Sequence, residues 1–242
     1  MKIIEVEGIV VSNTPYKESS KIINIFTSEY GIIGCISKGC KNLKSKLRLP
    51  SEKFAYGTFH LYYKEDGLST LIDGDIKNYF FNIKNDIVKI SYLSYLVELA
   101  VHTYKESENN EVYNLLIDAI LKIEDNLNPR IITNILEVQY LSYLGINLNL
   151  DECVKCGSSK VVTLSMNKGG YVCANCRENE ELIDEKVLKL LRLYQYVDIS
   201  KISNLDIDEN NSKIISKIID EYYDLYSGLR TKSKKFLKEI DW

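Results

Sequence analysis

Phe54-Ala-Tyr-Gly-Thr-Phe-His-Leu-Tyr-Tyr-Lys64, then Glu65-Asp66-Gly67, then Leu68-Ser-Thr-Leu-Ile72, is the stretch that decides how the first third of this chain folds. Two β-rich runs flank an Asp-Gly turn, a strong hairpin signal. Working back toward the N-terminus, Gly31 to Ser37 and Lys21 to Thr27 are also β-rich, with the turn-like Ser28-Glu-Tyr-Gly31 between them. Ile3 to Ser12 alternates in part and then runs apolar. Five short strands before residue 80 predict a small closed barrel, SH3-like or OB type. The long connection after the third strand favours OB. Of the aromatic residues Tyr56, Phe59, Tyr62 and Tyr63, at least half are expected in the core and the rest are stacking candidates. Cys35, in an apolar run, is expected inside; Cys40, in a basic loop, is a candidate for exposure. Asp73 and Asp75 read better as polar residues of a turn at Gly74 than as a metal pair.

Working outward in the other direction, the period changes from two to 3.6. Ile87, Ile90, Leu93, Val97, Ala100, Val101 and Tyr104 lie on one helical stripe, and Val112, Leu115, Leu116, Ala119, Ile120 and Ile123 on another. A third helix opens with Asn128 as cap and Pro129 in the first turn, and closes at Gly145. Asp184 caps a fourth, carrying Val187, Leu190, Leu191 and Tyr194. A last one runs from about Ser212 with Ile215, Ile218, Ile219, Tyr222 and Tyr226 inward. The expected class is α+β: an OB-type barrel domain over 1–80, which binds nucleic acid, and a helical domain over 81–242 with an insertion at 151–180.

That insertion holds Cys153-Val-Lys-Cys156-Gly157 and Cys173-Ala-Asn-Cys176, with sixteen residues between Cys156 and Cys173. Two Cys-x-x-Cys pairs at this separation match a closed structural zinc site. Val161 to Leu164 and Tyr171-Val172, joined by Asn167-Lys-Gly-Gly170, read as a hairpin bringing the pairs together. Four thiolates leave no open coordination position, so the expected zinc is structural. Lys155, Lys160 and Arg177 lie close enough in sequence to offset its excess negative charge. Disulfides would need an oxidising compartment, of which the chain carries no sign.

The net charge of -3 over 242 residues hides two basic clusters. The first is Lys38, Lys41, Lys44, Lys46, Arg48 and Lys53, opposed only by Glu52, after the third strand. The other is Arg230, Lys232, Lys234, Lys235 and Lys238. Such cations neutralise phosphates and release counterions, which gives sequence-independent affinity. Few apolar anchors punctuate the first cluster, and Pro50 and Ser51 give it an irregular path. No Gly-x-x-x-x-Gly-Lys-Ser/Thr loop is present. Only His60 and His102 are available as histidines, and no Ser/His/Asp arrangement can be assembled. No enzyme site is expected. No run approaches a membrane span, and the acids near the N-terminus do not fit a signal peptide, so a soluble, cytoplasmic chain is expected.

Val11-Ser-Asn-Thr-Pro-Tyr16-Lys-Glu18-Ser-Ser20-Lys-Ile-Ile-Asn-Ile-Phe26-Thr27, with Gly31, Lys38-Gly39 and Lys44-Ser-Lys-Leu-Arg48, resembles the N-terminal signature of the RecO family of bacterial recombination mediators. Leu136-Glu137-Val-Gln-Tyr-Leu-Ser-Tyr-Leu144-Gly145, leading into Cys153, resembles that family's helix-to-zinc junction. Tyr222 to Tyr226 and Arg230-Thr-Lys-Ser-Lys-Lys-Phe-Leu237 resemble its C-terminal end. The likeness covers nearly the whole chain in order. It implies an N-terminal OB-fold on a helical body with a zinc element. It also implies binding of single- and double-stranded DNA and annealing of complementary strands, without catalysis. The implied partners are RecR and the C-terminal tail of single-stranded-DNA-binding protein, so that RecA can load. At Lys41-Asn42 and Thr231 the family often carries arginine instead. The DNA-contacting candidates are Lys38, Lys41, Lys44, Lys46, Arg48, Arg230, Lys232, Lys234 and Lys235. The rival classes are a protein-interaction scaffold and a zinc-ribbon transcription or translation factor.

Overall fold

Alternation of apolar and polar residues builds the first unit, and it persists beyond the expected strand ends. In the computed structural model, which describes residues 2–241, β1 (Lys2–Tyr16), β2 (Ser20–Thr27), β3 (Gly31–Ser37), β4 (Tyr56–Tyr63) and β5 (Ser69–Asn78) close a barrel in the order β1-β2-β3-β5-β4. Every pairing is antiparallel except β3 with β5. That order is compatible with the OB type. Ile4, Val6, Val10, Ile23, Ile25, Ile33, Cys35, Phe59, Leu61 and Leu71 fill the interior. Each of these strands presents its alternate residues to it, as the pleat requires.

Two readings of this region are corrected. β1 runs on past Ser12, because Asn13 to Tyr16 pair with Ile23 to Ser20 as a polar hairpin end that tolerates Pro15. Asp73, Gly74 and Asp75 lie inside β5, not in a turn, opposite His60, Phe59 and Thr58. A register shift between His60 and Leu61 leaves Ile72 as the extra residue of a bulge. Gly74 is required by close approach: a Cβ there would lie 2.8 Å from Pro50 Cβ.

The barrel unit comprises the chain up to Phe81 together with Glu108–Asn114; Asn82–Ser107 and the chain from Leu115 onward form the other unit. After the single turn α1 (Phe81–Lys84) come α2 (Ile87–Ser107), α3 (Glu111–Glu124) and α4 (Pro129–Tyr143). Then follow the hairpin β6 (Val161–Ser165) and β7 (Gly170–Cys173), α5 (Glu185–Tyr196), α6 (Glu209–Tyr226) and α7 (Lys232–Asp241). α4 packs against α2, α5 and α6, and α7 packs against α2. The expected caps are present: Asn128 accepts from the amides of Arg130 and Ile131, and Asp184 from that of Lys186. Gly145 takes the left-handed φ of 70° that ends α4. α6 starts earlier than its apolar stripe, at the Asp208 cap. Tyr226 faces outward, its hydroxyl donating to the Met166 carbonyl at 3.0 Å. Leu188, more than Leu190, fills the buried face of α5. No helix among the described residues is long and apolar enough to cross a membrane.

Candidate metal centre and nucleic-acid interface

Two short turns, one after each Cys-x-x-Cys, shape the metal-binding element. Gly157 donates to the Cys153 carbonyl at 2.8 Å and Arg177 to the Cys173 carbonyl at 3.0 Å, each closing a knuckle around its sulfur pair. Gly157 sits at φ 70°, the region only glycine enters without cost. The hairpin β6–β7 brings the knuckles together. The sulfurs of Cys153, Cys156, Cys173 and Cys176 all lie within 4.8 Å of one another, so the four can hold a metal ion. A tetrahedral ion bound by thiolates at about 2.3 Å sets its sulfurs about 3.8 Å apart. Cys156 and Cys173 stand 3.7 Å apart. Burial works against ionising the Cys153 thiol, but backbone N–H groups around it outweigh burial and bring it down to about 6.

The cations near this element have other partners. Lys155 pairs with Glu178 at 2.6 Å, Lys168 with Glu178 and Glu180 at 3.2 and 3.1 Å, and Arg177 donates to the Glu180 carbonyl at 3.2 Å. Lys160 is exposed. The element is tied to its surroundings by tyrosines: Tyr171 donates to the Leu188 carbonyl, and Tyr226 of α6 donates to that of Met166.

The basic loop between β3 and β4 is better anchored than its composition implies. Cys40 and Leu47 belong to the barrel core, so the expectation of an exposed Cys40 is corrected. Ser51 bonds Ser37 and the Leu47 carbonyl, both at 2.7 Å, and Asn13 donates to the Ser51 carbonyl. Successive turns, from Ser45 N–H to Asn42 and from Arg48 N–H to Ser45, leave Leu43, Lys44 and Lys46 exposed while Leu47 turns inward. Lys38, Lys41, Lys44, Lys46, Arg48 and Lys53 are all exposed. Lys46 is paired with Asp73 at 2.7 Å, while Lys21 engages Glu52, the loop's one acid. Among the described residues, Lys38, Lys41, Lys44, Arg48 and Lys53 have no acidic partner; Lys41 Nζ donates to the Lys17 carbonyl and Lys53 lies over the Phe54 ring. Of the stacking candidates, Tyr56 and Phe59 are buried, Tyr62 is exposed, and Tyr63 packs on Tyr30.

The C-terminal cluster behaves differently. It opens α7 instead of trailing α6. Arg230, Lys232 and Lys235 are exposed, but the Lys234 side chain is only 13% exposed. Its ammonium meets Glu137 at 2.5 Å and Asp220 at 2.7 Å and lies over the Tyr95 ring. Lys238 also bridges to Asp220, at 2.6 Å. Glu137 is 1% exposed. Burial lifts its carboxyl above the ordinary range, with Lys234 pulling the other way. Burial also pulls the Lys234 ammonium down, but Glu137 and Asp220 more than offset it and hold it above its usual value. Glu98 receives the Ser233 amide at 3.1 Å and caps the helix, placing a carboxylate where the dipole favours one. Lys234 therefore stands apart from the other DNA-contacting candidates: its charge is already neutralised inside the unit.

Residues 1–80 match the family described as Recombination protein O N terminal, and residues 84–235 match Recombination protein O C terminal. The chain belongs to the RecO family. DNA repair protein RecO of Halalkalibacterium halodurans is 35% identical over 97% of this chain and 94% of its own length. The proteins of that name from Listeria monocytogenes serotype 4b (strain CLIP80459) and Bacillus pumilus are 35% and 34% identical, over 97% and 99% of the chain and 94% and 95% of their own lengths. Two features of the chain carry little sign in the sequence. One is the buried Glu137–Lys234–Asp220 group, whose only sequence sign is an acid between Leu136 and Val138 on a buried helix. The other is Lys17, exposed on the turn whose carbonyl accepts from Lys41 Nζ at 3.3 Å; Pro15-Tyr-Lys-Glu18 marks that turn.

Proposed function

We propose that the chain is a non-enzymatic recombination mediator in DNA repair, cytoplasmic and nucleoid-associated, which binds single- and double-stranded DNA through residues 1–80 and anneals complementary strands. The observation that carries this reading is the loop of six exposed cations on an ordered barrel, five of them without an acid partner among the described residues. Lys38, Lys41, Lys44, Lys46 and Arg48 contact phosphates, and the bases contribute little to affinity, because lysine lacks the planar fork suited to base edges. Annealing follows physically: a cationic surface offsets the repulsion between two approaching strands. Arg230, Lys232 and Lys235 add further phosphate contacts from the helical unit. The four cysteines hold one zinc, which supplies a rigid closure of the insertion and no open position for chemistry. The family resemblance adds RecR, the tail of single-stranded-DNA-binding protein and, indirectly, RecA as partners.

A filter-binding titration across salt, with single-stranded, duplex and protein-coated DNA side by side, tests the reading. Affinity should fall steeply with salt on all three. A protein-interaction scaffold would show no salt-dependent DNA affinity at all.

A further inference from the structure

The most exposed large apolar side chain of the described residues is Leu43, at 82%, in the middle of the basic loop. An exposed leucine is ordinarily unremarkable, but this one is held in place. It is a central residue of the turn closed by Ser45 N–H on the Asn42 carbonyl at 3.0 Å. The base of that turn is tied to the β1–β2 hairpin end: Lys41 N–H donates to the Ser19 carbonyl at 2.9 Å and Gly39 N–H to Ser20 Oγ at 3.3 Å. Cys40 and Leu47, on either side, point into the barrel. Lys41, Lys44 and Lys46, all exposed, flank the leucine along the loop. A loop that served only to offer phosphates a cationic face would gain nothing from an isobutyl group at its tip. A strand whose phosphates rest on those lysines would have its bases within reach of that group.

We propose that Leu43 is an apolar wedge that enters between adjacent bases of a bound DNA strand and unstacks them. Architectural DNA-binding proteins use leucine in this way, and charged flanks hold the backbone while the step opens. The ligand is the unstacked base step itself. For an annealing protein the effect is to keep bases of a bound strand open to pairing. The inference rests on the DNA-binding reading of the loop, and its test separates the two.

The probe is a mixed-sequence single strand carrying one fluorescent adenine analogue that brightens on unstacking, titrated with the full chain. Wild type should brighten it. Leu43→Ala should cut the brightening and the annealing rate by roughly fivefold, on the scale of a lost base contact, while the slope of affinity against salt stays unchanged. Leu43→Phe should restore both. The side chain lies in water, so neither variant threatens the fold. If Leu43→Ala brightens and anneals like wild type while Lys44→Ala with Lys46→Ala weakens binding, the wedge is wrong and the phosphate surface stands. If the double variant also binds with an unaltered salt slope, the loop is not the DNA site and both fail.

Discussion

Residues 38–53 and 230–238 are alike as sequence, and by composition the C-terminal segment is the more cationic of the two because it contains no acid at all. In the folded chain their order reverses. The barrel loop keeps six cations in water, and among the described residues only Lys46 of these meets an acid across an ion pair. The C-terminal segment meets acids brought by other helices: Glu98 from α2, Glu137 from α4 and Asp220 from α6. Local charge density therefore does not measure the charge on offer to a ligand. What counts is whether the tertiary fold supplies counter-charges, and at what depth.

The largest test separates the units. Cys173→Ser should abolish metal binding, measured by emission spectroscopy, and should destabilise the helical unit by several kcal/mol, on the order of a structural site's contribution. Binding by the barrel loop should persist. A metal-free variant with wild-type stability would end the structural role. Next in size is the contrast between neighbours. Lys234→Met leaves Glu137 buried without its cationic partner and should cost about 3 kcal/mol in a denaturant titration, whereas Lys235→Gln should be nearly neutral in stability. Equal losses at both positions would erase the distinction drawn above. Third, Lys44→Ala with Lys46→Ala should flatten the dependence of log K on log salt by about one to two without altering folding or zinc content. The smallest effect sharpens the comparison from the other side. Asp73→Asn releases Lys46 from an exposed ion pair, worth roughly half a kcal/mol, and should tighten DNA binding about twofold. A weaker complex would mean that Asp73 positions Lys46 instead of competing for it.

The strands, the helix caps and the four cysteines were legible because their causes are local. Asp66-Gly67, Asn128-Pro129 and the Cys-x-x-Cys spacing each fix a turn or a cap within a few residues. The barrel loop was legible as a cluster but not as an ordered one. Its anchors, Cys40, Leu47 and Ser51, are single residues whose partners lie on β1 and β3 or in the interior. α7 was not legible because lysines make up four of its ten residues and Leu237 is the one fully buried apolar side chain. What holds it is Lys234 and Ser233, and neither the Glu98 cap nor the Glu137–Asp220 pair can be inferred from a sequence separation above a hundred residues for some of these contacts. Asp73 and Asp75 looked like a turn because Gly74 sits between them; the glycine answers instead to Pro50 crossing above the strand.

The seam between β3 and β5 consists of two residue pairs, Cys35 with Ser69 and Ile36 with Thr70. Among the described residues it is the shortest pairing in the barrel and the only parallel one, and together with the β1–β4 ladder it joins the first three strands to the last two. Contacts of that kind form late, since the entropy of closing the intervening chain must be met before they repay it. The β1–β2–β3 meander and the β4–β5 hairpin are each built from pairings between consecutive strands, and residues 38–53 are the tether between them. A newly made chain should therefore acquire its cationic surface abruptly, in the kinetic step that shuts the barrel, and a slow phase seen by backbone probes should coincide with the onset of DNA binding.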